Sequence, residues 1–150
     1  MSRARLWLHA AALVAPFCAA GLFALLVQRD AAFVLRMTAM FGGIGAAAAQ
    51  VSALAGWPAL QRRAQADQPG WPVGVGMAAL AHVLFGAIAA VALNVAADPG
   101  GAGAGALVVQ AGFFAFASAM PLATLTFPLT ALVAEFVARQ RRKEIVDDAA

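Results

Sequence analysis

The stretch ALAHVLFGAIAAVALNVAA, from Ala79 to Ala97, is apolar almost throughout and places His82, Gly86, Ala90 and Asn94 at intervals of four. As a helix it extends about 28 Å at a rise of about 1.5 Å per residue, close to the roughly 30 Å hydrocarbon core of a bilayer. Spacing of four keeps those residues on one side of the helix. A membrane strand is the other possibility, but its polar and apolar residues alternate over about ten positions. Nothing alternates here.

The same pattern recurs on both sides of this stretch. Charged residues leave four long uncharged runs, Leu6 to Val27, Met37 to Leu60, Gln68 to Ala97 and Pro99 to Ala134. Of the 150 residues 63% are hydrophobic and 11% charged, against about 25% charged in a soluble domain. We therefore expect an all-α integral membrane protein with four transmembrane helices, at 6–27, 32–58, 73–96 and 104–137, forming one domain of two hairpins. The longest polar piece is too short to bury a core of its own.

Charge placement sets the expected threading. Arg3 and Arg5 precede the first span, Arg62 and Arg63 follow the second, and Arg139, Arg141, Arg142 and Lys143 follow the fourth. The connection AADPGGAGAG carries no basic residue, and the turn QRD carries only Arg29, with Arg36 a turn inside the next span. Positive residues stay on the cytoplasmic side. Both termini and the middle connection are then cytoplasmic, in a bacterial-type inner membrane. The net charge of +3 reads as a topology signal, and no nucleic-acid partner is expected. The basic tail is a candidate for anionic lipid contact, at about 1 kcal/mol per charge near the surface.

The N-terminus has a basic start and small residues near Ala20, like a signal peptide. Its apolar run to Val27 exceeds the usual 7 to 15 residues, so an uncleaved span is expected. Cys18 is the single cysteine and reads as small apolar packing.

Few residues carry chemistry. Glycine patterns at Gly43, Gly74 and Gly101 resemble phosphate loops, but such loops need a preceding strand and a free helix N-terminus. With only His9 and His82 and no ligand-spaced Cys, Asp or Glu, neither a metal site nor a cofactor is expected. No nucleophile motif or paired carboxylates point to an enzyme. In span two Gly42, Gly45, Ala46 and Ala49 form a small-residue face for close helix packing, within the chain or between copies, and Gly86 is a further packing position. Span four places Pro121, Thr124, Pro128 and Glu135 on one face, so both prolines are expected to kink the helix on its polar side. Glu135 and Arg139 are spaced as a helix-surface ion pair.

By depth from the cytoplasmic end, His82, Gln50, Thr124 and Thr126 fall at comparable levels and are expected to form one intramembrane polar layer. An ionisable group at such depth is a functional candidate by default. Two functions follow. The first is an accessory or oligomer-forming subunit acting through helix association with copies of itself or another membrane protein. The second is a compact transporter or channel with that layer lining a route and the proline segment flexing. A faint echo between SALAGWP and ATLTFP, each ending in an aromatic and a proline, raises duplication of a hairpin.

Overall fold

The computed structural model describes residues 2–28, 30–97 and 103–148. Four helices run in order, α1 (Arg3–Val27), α2 (Ala31–Gln65), α3 (Trp71–Ala97) and α4 (Ala104–Asp147). Each is long and apolar enough to cross a membrane. The Gly/Ala connection expected between α3 and α4, with Gly101, lies mostly outside the described residues, as does Arg29.

Local chemistry starts the first two helices. Ser2 Oγ accepts from Arg5 N–H at 3.2 Å and Asp30 Oδ1 from Phe33 N–H at 2.7 Å, each satisfying an amide that has no partner within the helix. The end of α2 is a Schellman turn: Gln68 N–H reaches Arg63 O at 2.8 Å and Asp67 N–H reaches Ala64 O at 3.4 Å. Asp67 stands at the left-handed position with φ 51°, where glycine is usual.

Two helices overrun their expected spans. α2 continues through Pro58 to Gln65, and α4 continues from Val137 to Asp147. Packing and propensity account for both. Leu60 and Ala64 are buried on the α2 extension, and Ala138 on that of α4, while both segments are rich in Ala, Gln, Arg and Lys, good helix formers. Arg141 and Glu144 pair at 3.1 Å along α4. At about 1.5 Å per residue, α4 is roughly 66 Å long, twice a hydrocarbon core. The basic segments expected as loop and tail are largely rigid helix.

The helices pack as two antiparallel hairpins, α1 with α2 and α3 with α4, joined by α2 on α3 and α1 on α4. α1 and α3 occupy opposite corners, and α2 and α4 touch across the bundle. Ala4, Leu8, Ala53, Leu60, Met77, Ala134 and Val137 form the core. These residues gather at the end of the bundle holding residue 2, residue 148 and the α2–α3 connection, hereafter the terminal end. Elsewhere the helices show their large side chains outward, among them Phe23, Val109, Phe113, Phe116, Met120 and Leu125.

Small residues make the two hairpin seams. A Cβ on Gly42 would stand 2.5 Å from Phe17 Cδ1, and one on Gly45 2.9 Å from Pro16 Cβ. Ala46 is buried and Ala49 half-buried on the same side. The small-residue face of span two is therefore consumed inside the chain, against α1. In the second hairpin, Gly70, Gly74, Ala78, Gly86 and Ala90 are buried at multiples of four. A Cβ on Gly74 would lie 2.5 Å from Thr130 O, and one on Gly86 would overlap Ala111 O and Ala115. Here the close glycines belong to the first helix of the pair, whereas in α1–α2 Gly42 and Gly45 belong to the second and Gly21, where a Cβ would stand 3.3 Å from Thr38 Oγ1, to the first.

Candidate functional site

His82 sits in the α3–α4 seam, between Ala78 and Gly86. Its Nδ1 lies 3.0 Å from Ser118 Oγ and its Nε2 2.9 Å from Thr126 Oγ1. Ser118 directs its own proton to Ala115 O at 2.9 Å, so its oxygen accepts from His82, and Nδ1 is the protonated nitrogen. Nε2 of the neutral ring then accepts from the Thr126 hydroxyl. Phe127 lies nearly parallel to the imidazole, 13° between planes and 6.0 Å between centroids. Both nitrogens are engaged by one neighbouring helix.

Gln50 is not part of this group. It pairs with His9 across the α1–α2 seam, with His9 Nδ1 at 2.7 Å from Gln50 Oε1 and Gln50 Nε2 donating to His9 O at 2.8 Å. Thr124 is exposed on the outer side of α4. The expected single layer is thus two separate joints, His9 with Gln50 and His82 with Ser118 and Thr126. Depth placed these residues at similar levels, but their directions around the helix axes differ. Thr124 and Thr126 are two residues apart, about 200° around a helix of 3.6 residues per turn, so both cannot face the same neighbour.

Pro121 and Pro128 are likewise exposed. They face away from the bundle with Thr124, rather than toward a polar interior, and α4 remains one helix through both. Two further joints were not anticipated. Ser52 Oγ donates to Met77 O at 2.6 Å, tying α2 to α3, and Asn94 donates to Gln110 and to Ala90 O at the far end of α3–α4. A fixed interval of four from His82 to Asn94 was the signal for the second. Ser52 had none.

The terminal end is the charged part of the molecule. Glu135 Oε2 accepts from Gly70 N–H at 2.7 Å, at the start of α3, while Oε1 meets Arg139 at 2.9 Å and Arg142 at 3.6 Å. Nine residues further along, Glu144 Oε1 accepts from Ala4 N–H at 2.9 Å and Oε2 meets Arg141 at 3.1 Å. The helical pair of Glu135 with Arg139 is present, yet its carboxylate also caps α3, and Glu144 caps α1. Carboxylates at helix N-termini satisfy free amides and oppose the positive end of the helix dipole. Burial raises the Glu144 pKa, but the amides of Ala4 and Arg3 and the Arg141 guanidinium outweigh it and hold the group below its ordinary 4.5. Arg142 also pairs with Asp67. Of the four basic residues in this segment, Arg139, Arg141 and Arg142 each pair with a carboxylate of the chain, and Arg139 and Lys143 are the exposed ones.

Among the described residues no three His, Cys, Asp or Glu side chains come together as a metal site. Comparison with known proteins gives no match to a family, a curated protein or a solved structure.

Proposed function

We propose that the chain is a small polytopic protein of a bacterial-type inner membrane, acting by association as an accessory or oligomer-forming subunit and without catalysis. The observation that carries this reading is the closure of its polar groups on one another. His9 with Gln50 and His82 with Ser118 and Thr126 each join the two helices of one hairpin. Groups bonded in this way hold helices together and are not held open for a passing solute. The outward surface of α4 is apolar, with Phe113, Phe116, Met120, Leu125 and Leu129 more than half exposed, and is suited to lipid or to another membrane helix.

Orientation with both termini in the cytoplasm is supported by charge. Eight of the ten Lys and Arg residues lie at the terminal end, as the positive-inside rule requires of a cytoplasmic side. Trp7, Trp57 and Trp71 are at the same end, with Trp7 edge-on to Phe136 at 6.4 Å and Arg5 over Trp57 at 5.9 Å. Tryptophan collects at membrane interfaces. Anionic lipid contact falls first to Lys143 and then to Arg139, which is exposed although paired with Glu135, rather than to Arg141 and Arg142.

Purification in mild detergent, with mass determination of the intact particle, tests the reading. A stoichiometric homo-oligomer or a foreign membrane-protein partner is expected. A monomer that conducts protons or small ions in liposomes would replace it with the transporter reading.

A further inference from the structure

We propose that the part of α4 beyond the core, from Ala138 to Asp147, is a clasp in which Glu144 holds the first turn of α1 and thereby keeps the α1–α2 hairpin docked on the α3–α4 hairpin. The named contacts of the α1–α4 seam lie near the terminal end. They are the Ala4 amide on Glu144, Trp7 against Phe136, and Ala4 and Leu8 in the core with Ala134 and Val137. Past this patch both helices turn large apolar side chains outward, Leu13, Val14 and Phe23 on α1 and Leu125, Leu129 and Leu132 on α4. The α1–α2 and α3–α4 seams, by contrast, run from the terminal end to Gly21 against Thr38 and to Asn94 respectively. The seam between α1 and α4 is therefore the short one, and its outermost bond is the carboxylate cap.

The clasp has a built geometry. Glu144 uses one oxygen for the Ala4 amide and the other for Arg141, which fixes the carboxylate from behind. Ala4 is fully buried beside it, so the cap is seated on packed chain. Ser2 caps Arg5 N–H from α1 itself, so the local cap and the clasp serve different amides of the same turn. Glu135 does the equivalent for α3, but within one hairpin. Of these two carboxylate caps, Glu144 is the one that joins the two hairpins, at the α1–α4 seam, while Ser52 on Met77 O joins them at the α2–α3 seam.

Hydrogen exchange of individual backbone amides, on the full chain in detergent, separates this from a general stabilising role. Glu144→Ala is expected to speed exchange at Arg3 to Leu6 by about threefold to thirtyfold, the range that loss of a helix cap implies. Exchange at Gly70 and Trp71, capped by Glu135, should stay unchanged. Glu135→Ala should do the opposite, and Asp147→Asn neither. A second readout places cysteines at Trp7→Cys and Phe136→Cys in a Cys18→Ser background, where a short crosslinker reports whether α1 remains docked. Crosslinking should slow in Glu144→Ala and recover partly in Glu144→Gln, which keeps the acceptor oxygen. Unchanged exchange at α1, or faster exchange spread equally over all four helices, overturns the clasp.

Discussion

At His82 a single ring is shared between two hydroxyls of one helix, and the proton count of Ser118 determines which nitrogen carries hydrogen. Imidazole nitrogen NMR should therefore find Nδ1 protonated and Nε2 bare. The reverse pattern would require Ser118 to release Ala115 O. His82→Gln retains a donor and an acceptor of similar reach, so its loss of stability should be small, within the roughly 0.6 to 2 kcal/mol of an interhelical hydrogen bond in a membrane. Thermal unfolding in detergent measures it. The same variant should leave proton flux in liposomes between pH 5.5 and 8 unaltered, and a wild-type flux abolished by it would make the histidine a relay. Asp67 offers a different test. Its left-handed backbone disfavours any residue with a Cβ by about 1 to 2 kcal/mol, while its ion pair with Arg142 is exposed on the aspartate side and contributes about 0 to 1 kcal/mol. Asp67→Gly should hold or raise stability, and Asp67→Ala should lower it.

At the scale of helices, the close seams predict which glycines tolerate a side chain. A methyl group on Gly86 meets the backbone of α4, which has little room to retreat, whereas around Gly112 nothing lies within 4 Å. Gly86→Ala should therefore destabilise by about 1 to 3 kcal/mol, and Gly112→Ala should be neutral or stabilise by up to about 1 kcal/mol through helix propensity. Equal effects would mean that the α3–α4 seam is looser than described. Sequence alone located these helices well, because twenty uncharged residues leave few other solutions in lipid. It located their ends poorly. Pro58 and the charged run from Arg139 onward look like terminators, but burial of Leu60, Ala64 and Ala138 carries each helix further. Depth was legible too, since it follows from counting residues. Partnership was not, because Gln50 and His82 share a level yet point into different seams, and no periodicity in one helix reveals which neighbour it faces.

For the molecule as a whole, the charged terminal end and the apolar remainder predict threading and acid response. A reporter fused after Ala150 should be active only in its cytoplasmic form, and one inserted between Asp98 and Gly103 only in its external form. Reversal at both sites would invert the proposed orientation. The depressed Glu144 pKa fixes the sign of the acid response: its stabilisation is complete above the unfolded value near 4.5 and is lost as pH falls through the lower folded value. Unfolding followed across that window should be less pH-dependent in Glu144→Gln than in wild type. The bond from Ala4 to Glu144 also spans 140 residues of chain. At synthesis rates of about 5 to 20 residues per second, the first turn of α1 waits roughly 7 to 28 s for its partner to be made. Closure of this corner therefore cannot precede synthesis of Glu144, and until that residue is made the first turn of α1 has only Ser2 to cap it.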